Sequence, residues 1–145
     1  MQVVLGQPNK GSTGAAIGIS VISGCIPPYQ VNLGLGNQIG GPSAGLMFAL
    51  GIIDKVGRVN LTGGKFIAGT GTIDPNGTVG AIGGIALKMI AARRAGAQIF
   101  LAPADNCSDV RGAIPKGLDV IKVDTLHHAV QYLEDLNAGT AVPHC

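Results

Sequence analysis

Two residues in this chain have neighbours that suit them to chemistry. Ser43 is the only hydroxyl in GGPSAG (40–45), whose other members are Gly, Pro and Ala. A Pro-Ser helix start leaves unpaired N–H groups and the positive end of the helix dipole, which suit a developing oxyanion. Gly40, Gly41 and Gly45 give a peptide backbone room to approach. Lys88 lies in GGIALKMIAARRAG (83–96). On a helix its neighbours at three and four places are Gly84, Ile85, Ala91 and Ala92, all small or apolar and none acidic. Burial without a counter-ion favours the neutral amine. A neutral amine can take the proton of a serine hydroxyl, and that chemistry needs no acidic third member. Each residue alone has a plainer reading. Ser43 is then a helix cap, and Lys88 is a snorkelling side chain with its stem on the core.

Other patterns are weaker. Residues 41–45 match G-x-S-x-G, and Ser43 followed by Asp105 or Asp119 and then His127 or His128 has the chain order of an α/β-hydrolase triad. Against that esterase reading, GNQIG intervenes where a buried strand should lead into the serine, and both histidines fall in the first turn of an expected terminal helix. GLGNQI (34–39) and GTGTID (69–74) begin like dinucleotide loops but do not continue as one before a helix. TGGKF (62–66) lacks the leading Gly and the Ser/Thr of a P-loop, so the chain holds no expected ATP site. The cysteines Cys25, Cys107 and Cys145 form no CxxC pair and share no ligand spacing with His127, His128 or His144, so no metal is expected.

The elements that must position Ser43 and Lys88 read as follows. AAIGISVIS (15–23) and YQVNLGL (29–35) alternate as an N-terminal hairpin, turned at Cys25-Ile-Pro-Pro28. A helix starts near Pro42 and stops at Gly57; it is apolar nearly all round, which predicts a central position. KFIAGTGTI (65–73) reads as a strand, Asp74-Pro-Asn-Gly77 as a tight turn, and TVGAI as the partner strand. Ile85 to Ala95 reads as a helix stopped by Gly96. QIFLA (98–102) and DVIKV (119–123) are short buried strands. LHHAVQYLEDLNA closes the fold as a helix, capped by Thr125 and stopped by Gly139. The pattern implies one α/β domain with a mixed sheet and packed helices over 15–139. Residues 1–14 read as a flexible lead-in and 140–145 as a tail.

Composition narrows the function classes. Charged residues are 12% of the 145-residue chain, about half the usual share, so much of its surface must be neutral or covered by partners. A net charge of +2 is too small to argue for nucleic acid or an acidic membrane. No apolar run is long enough to span a bilayer and the start lacks a signal-peptide core, so the chain itself is expected to be soluble.

GGPSAG, AGTGTIDPNGTVGAIGG and ALKMIAARRAGAQIFLAPADN, in this order and spacing, resemble the proteolytic domain of Lon-type serine peptidases over roughly residues 29 to 135. LTGGKFIAGTGTI, PADNC and the final PHC are similar to the PDZ–Lon proteins of actinobacteria in particular. The resemblance implies a Lon-type fold and an ATP-independent endopeptidase acting on peptides or unfolded proteins, with Ser43 as nucleophile and Lys88 as base. It implies that Thr70 helps hold the lysine amine. The N–H groups around Gly40, Gly41 and Ala44 would meet the oxyanion or substrate backbone. It also implies a homo-oligomer, hexameric in related families, and a membrane-anchored parent in the cell envelope that carries a PDZ domain. In such an oxidising compartment a Cys107–Cys145 disulfide is expected, with Cys25 free; the alternative is three reduced thiols. Many Lon proteins have an acidic residue three places before the serine and another after the Thr-Gly pair; here these are Gly40 and Thr72. These departures carry the alternative function, a slow or inactive Lon-type domain kept as an interaction or scaffold module.

Overall fold

The computed structural model describes residues 41–57 and 60–145. The expected hairpin, the lead-in, Cys25 and Gly40 lie outside the described residues. From Gly41 onward the chain forms a 3-10 turn (Pro42–Ala44), α1 (Gly45–Val56), β1 (Ile67–Gly69), β2 (Thr72–Ile73), β3 (Val79–Gly80) and α2 (Ile85–Arg94). It continues through β4 (Ile99–Pro103), a second 3-10 turn (Ala104–Asn106), α3 (Cys107–Val110), β5 (Asp119–Val123) and α4 (Leu126–Asn137).

The fold is α/β, and among the described residues its parallel and antiparallel pairing is held in two sheets. β4 is the centre of a parallel sheet ordered β1-β4-β5, and β2 pairs antiparallel with β3. IFLAP, buried along its whole length, has the continuous apolar character that a central parallel strand needs. Its side chains alternate between two cores. Ile99 and Leu101 face a cluster with Leu46 and Leu50 of α1 and Ala129 and Leu133 of α4. Phe100 and Ala102 face a cluster with Ile85 and Met89 of α2 and Val110. Helices therefore cover both faces of the sheet. Phe100 and Leu101, neighbours on opposite faces, are both among the fully buried side chains; burial of each contributes roughly 1.5–3 kcal/mol.

Three departures from the sequence expectations have physical causes. α1 is a cover and not a central helix: Leu46 and Leu50 are buried, while Val56 at its end is 52% exposed. A helix of small and apolar residues suits a half-buried position as well as a central one. KFIAGTGTI is not one strand. After Gly69 the backbone N–H groups of Thr70 and Gly71 go to different partners, Leu101 O at 3.1 Å and Ser43 O at 2.8 Å. The chain thus leaves the parallel sheet and turns toward the first 3-10 turn.

The third departure is the C-terminus, which is laid along the exposed edge of β5. Lys122 N donates to Pro143 O at 3.0 Å, His144 bridges antiparallel to Ile121, and Val142 joins the core. Pairing of this kind covers backbone groups that an edge strand otherwise leaves open. His144 Nε2 lies 2.8 Å from Asp119 Oδ1, and Cys145 is joined to Cys107 in a disulfide with Cα atoms 5.0 Å apart. Among the described residues no helix is long and apolar enough to cross a membrane.

Candidate active site

Ser43 sits in the 3-10 turn that runs directly into α1, half-buried, after Gly41 and Pro42, which are exposed. Its backbone is tied down by the break in the β1–β2 segment. The Ser43 carbonyl accepts from Gly71 N at 2.8 Å and from the Thr70 hydroxyl at 2.9 Å. Leu46 N donates in return to Gly71 O at 3.1 Å. This lacing requires close approach. A Cβ at Gly45 would lie 3.0 Å from Ile73 Cγ2 and 3.3 Å from Ile73 N, so the glycine serves packing against β2 and not access for a peptide. The turn's own hydrogen bond uses the Gly45 N–H, onto Pro42 O. Pro42 has no N–H, so the turn leaves the Ser43 and Ala44 N–H groups outside its own bonding.

Lys88 reaches the serine from α2, across 45 residues of chain. Its Nζ lies 3.4 Å from Ser43 Oγ. Ile85 and Met89, buried on the same helix, fix the rotation of α2 against β4, and this aims Lys88 toward the first 3-10 turn. Lys88 is half-buried, and among the described residues its amine forms no ion pair with a carboxylate. The separation is at the long end for hydrogen bonding. Catalytic pairs commonly tighten on substrate binding. A serine hydroxyl beside an amine that no acid holds can act as a nucleophile with its base.

Thr70 is 3% exposed and adjoins the pair, but its hydrogen bond goes to the Ser43 carbonyl, whereas the resemblance assigns it to the lysine amine. Thr72, which stands where many Lon proteins have an acid, lies in β2 opposite Gly80. The histidine alternatives lie with other partners. His128 Nδ1 is 2.6 Å from Asp124 Oδ1 and its ring stacks on Tyr132. Asp119 pairs with His144 instead of serving a triad. The Asp124 carboxyl is held below its ordinary range, chiefly by the hydrogen bond with His128. Among the described residues no group of three or more His, Cys, Asp or Glu is gathered as a metal site.

Two contributors were missed in the sequence. Gly71 hides inside an alternating apolar run, and nothing in such a run marks which backbone N–H will leave its sheet. Asn106 is 3% exposed and holds the loop before α2 through both the N–H and the carbonyl of Ile82. Nothing local in the sequence marks it, because its partner Ile82 lies 24 residues away.

The chain matches the Lon protease (S16) C-terminal proteolytic domain family over residues 36–136, a stretch that contains Ser43, Thr70 and Lys88. It belongs to that family. It is 36% identical over 88 residues to Lon protease 1 of Syntrophobacter fumaroxidans, covering 61% of this chain and 11% of that protein. It is 33% identical over 101 residues to Lon protease 2 of Bacillus subtilis, covering 70% of this chain and 18% of the relative. Over 69 residues it is 44% identical to a mitochondrial Lon protease homolog of Emericella nidulans, covering 48% and 6% respectively. The chain thus spans less than a fifth of the length of these relatives. As a Lon proteolytic domain it carries Ser43 in the first 3-10 turn, bonded through its carbonyl to Thr70 and Gly71, and brings Lys88 to it from α2.

Proposed function

We propose that this Lon-type domain is a serine endopeptidase that works without ATP, with Ser43 as nucleophile and Lys88 as general base. The observation that carries the reading is the 3.4 Å approach of Lys88 Nζ to Ser43 Oγ. Ser43 Oγ attacks the peptide carbonyl carbon while the neutral Lys88 amine takes the hydroxyl proton. The tetrahedral oxyanion is met by backbone N–H groups of the turn at Ser43 and Ala44, with Gly41 beside the substrate backbone. Lys88 gives its proton to the departing amine as the C–N bond breaks. It then takes a proton from water, whose oxygen attacks the acyl-enzyme ester, and returns that proton to Ser43 Oγ as the acyl C–O bond breaks. No step consumes a nucleotide.

Substrates on this reading are peptides or unfolded proteins, since N–H groups outside the turn's own bonding at Ser43 and Ala44 suit a peptide backbone. The domain is a homo-oligomer, hexameric as in related families, and the parent protein carries a PDZ domain. The Cys107–Cys145 disulfide supports an oxidising compartment such as the cell envelope. A second reading, a Lon-type module kept for interaction, draws on the long dyad distance and on Thr72 where an acid often stands.

A fluorophosphonate probe and an unfolded protein substrate separate the two. Peptidase action requires labelling at Ser43, and loss of both labelling and hydrolysis in Ser43→Ala and Lys88→Ala. A folded Lys88→Ala protein that hydrolyses at the wild-type rate removes Lys88 as the base.

A further inference from the structure

We infer that Asn106 is a positioning residue for Lys88, acting through Ile82; this rests on the peptidase reading above. The link from β3 into α2 is Ala81-Ile82-Gly83-Gly84, whose last two members have no side chain to pack. A Cβ at either Gly83 or Gly84 would meet nothing within 4 Å. Gly84 adopts φ 69°, a left-handed conformation that L side chains rarely take. Such a link has no fixed course of its own, yet it sets where the first turn of α2 begins. Lys88 N closes that turn onto Gly84 O at 3.3 Å.

Asn106 supplies the missing fixture. Its Oδ1 accepts from Ile82 N at 2.9 Å and its Nδ2 donates to Ile82 O at 3.0 Å. One amide thus pairs with both backbone groups of a single residue, as a strand neighbour would. The other Nδ2 bond goes to Asp109 Oδ2 at 3.2 Å, which fixes the rotamer of the amide. The Asn106 side chain is buried and both Ile82 bonds are part-buried, so leaving either partner unpaired there is unfavourable. Asn106 adjoins Cys107, so the clamp is also anchored to the C-terminus by the disulfide. Ile85 and Met89 set the rotation of α2, whereas Asn106 sets its start along the axis. An ångström of slip there changes the approach of Nζ to Oγ, and misplacement on that scale costs on the order of a hundredfold in rate.

The test is Asn106→Ala in the whole chain, read in two ways. The first is steady-state hydrolysis: kcat falls about tenfold or more with KM little changed, the pattern of a misplaced catalytic group. The second needs no activity: the rate at which an amine-directed reagent modifies Lys88, mapped by mass spectrometry, rises several-fold while Lys55 and Lys65 stay constant. Asp109→Ala, which leaves both Ile82 bonds in place, gives a much smaller change in each. If Asn106→Ala loses thermal stability, both measurements are made on Asn106→Asp, which keeps the bond from Ile82 N but not the donor to Ile82 O. A folded variant with unchanged kcat and unchanged Lys88 modification overturns the inference. Wild-type protein that neither labels nor hydrolyses overturns the peptidase reading instead, and Lys88 modification still decides the role of Asn106.

Discussion

The Thr70 hydroxyl donates to the Ser43 carbonyl at 2.9 Å, and the next residue in the chain, Gly71, donates to the same oxygen at 2.8 Å. Two consecutive residues therefore hold the peptide that follows the candidate nucleophile. Thr70→Val keeps the shape and removes the donor. It should cost about 1 kcal/mol in denaturant unfolding and slow labelling of Ser43, while Thr70→Ser restores both. Thr70→Val with wild-type stability and labelling would show that Gly71 alone suffices.

A general base must be a free amine to accept a proton. Lys88→Arg should therefore fail to acylate Ser43, because a guanidinium does not give up its proton. A folded Lys88→Arg protein that acylates at the wild-type rate would count against the dyad.

The Asp74 carboxylate organises the β2–β3 turn. Its Oδ1 accepts from Asn76 N and Thr78 N, both at 2.8 Å. The bond from Thr78 is the largest cause holding this carboxyl below its ordinary value. A depressed folded-state value gives stability that is complete above the unfolded value of about 3.9 and is lost as pH falls through the folded one. Asp74→Asn keeps an acceptor but not the charge. Its Tm should be lower than wild type near neutrality, and the gap should close below about pH 3.9. A gap that persists unchanged into strong acid would show that the charge contributes nothing.

How much of this was legible depended on whether the cause was local. β4 could be read because IFLA is a continuous apolar run between turn signals, and the cap of α4 because Thr125 precedes an amphipathic stretch; Thr125 Oγ1 accepts from His128 N. Ser43 and Lys88 could be nominated because each is the one reactive group among small or apolar neighbours. The break after Gly69 could not, since the group that takes the Gly71 N–H and the Thr70 hydroxyl is the Ser43 carbonyl, 27 residues before Thr70. Asn106 was equally hidden: it bonds to Ile82, 24 residues away, whereas an Asn in a turn predicts only bonds to its immediate neighbours. Thr140 to Cys145 has no periodicity, so nothing in it marks a docked C-terminus. Its order comes from the open edge of β5, which only the fold supplies.

The last prediction concerns that C-terminus. Cys107 and Cys145 are 38 residues apart in sequence, and the bond between them closes β5 and α4 into one loop. Loop entropy assigns such a bridge roughly 4 kcal/mol against the unfolded chain. For a domain of this size that corresponds to a Tm change on the order of 10 °C. Cys145→Ser should show most of this loss, and a reductant should lower the wild-type Tm to meet it without moving the variant further. The docked segment has other ties, since Lys122 N reaches Pro143 O and His144 pairs with Asp119. Local unpairing should therefore remain limited in the variant, visible as faster amide exchange at Lys122 but not at Leu101 in the central strand. Thiol counting on unfolded, unreduced protein should find one free cysteine among the three in the chain. Three free thiols, or a Tm that reductant leaves unchanged, would show that the bridge does not form in that preparation.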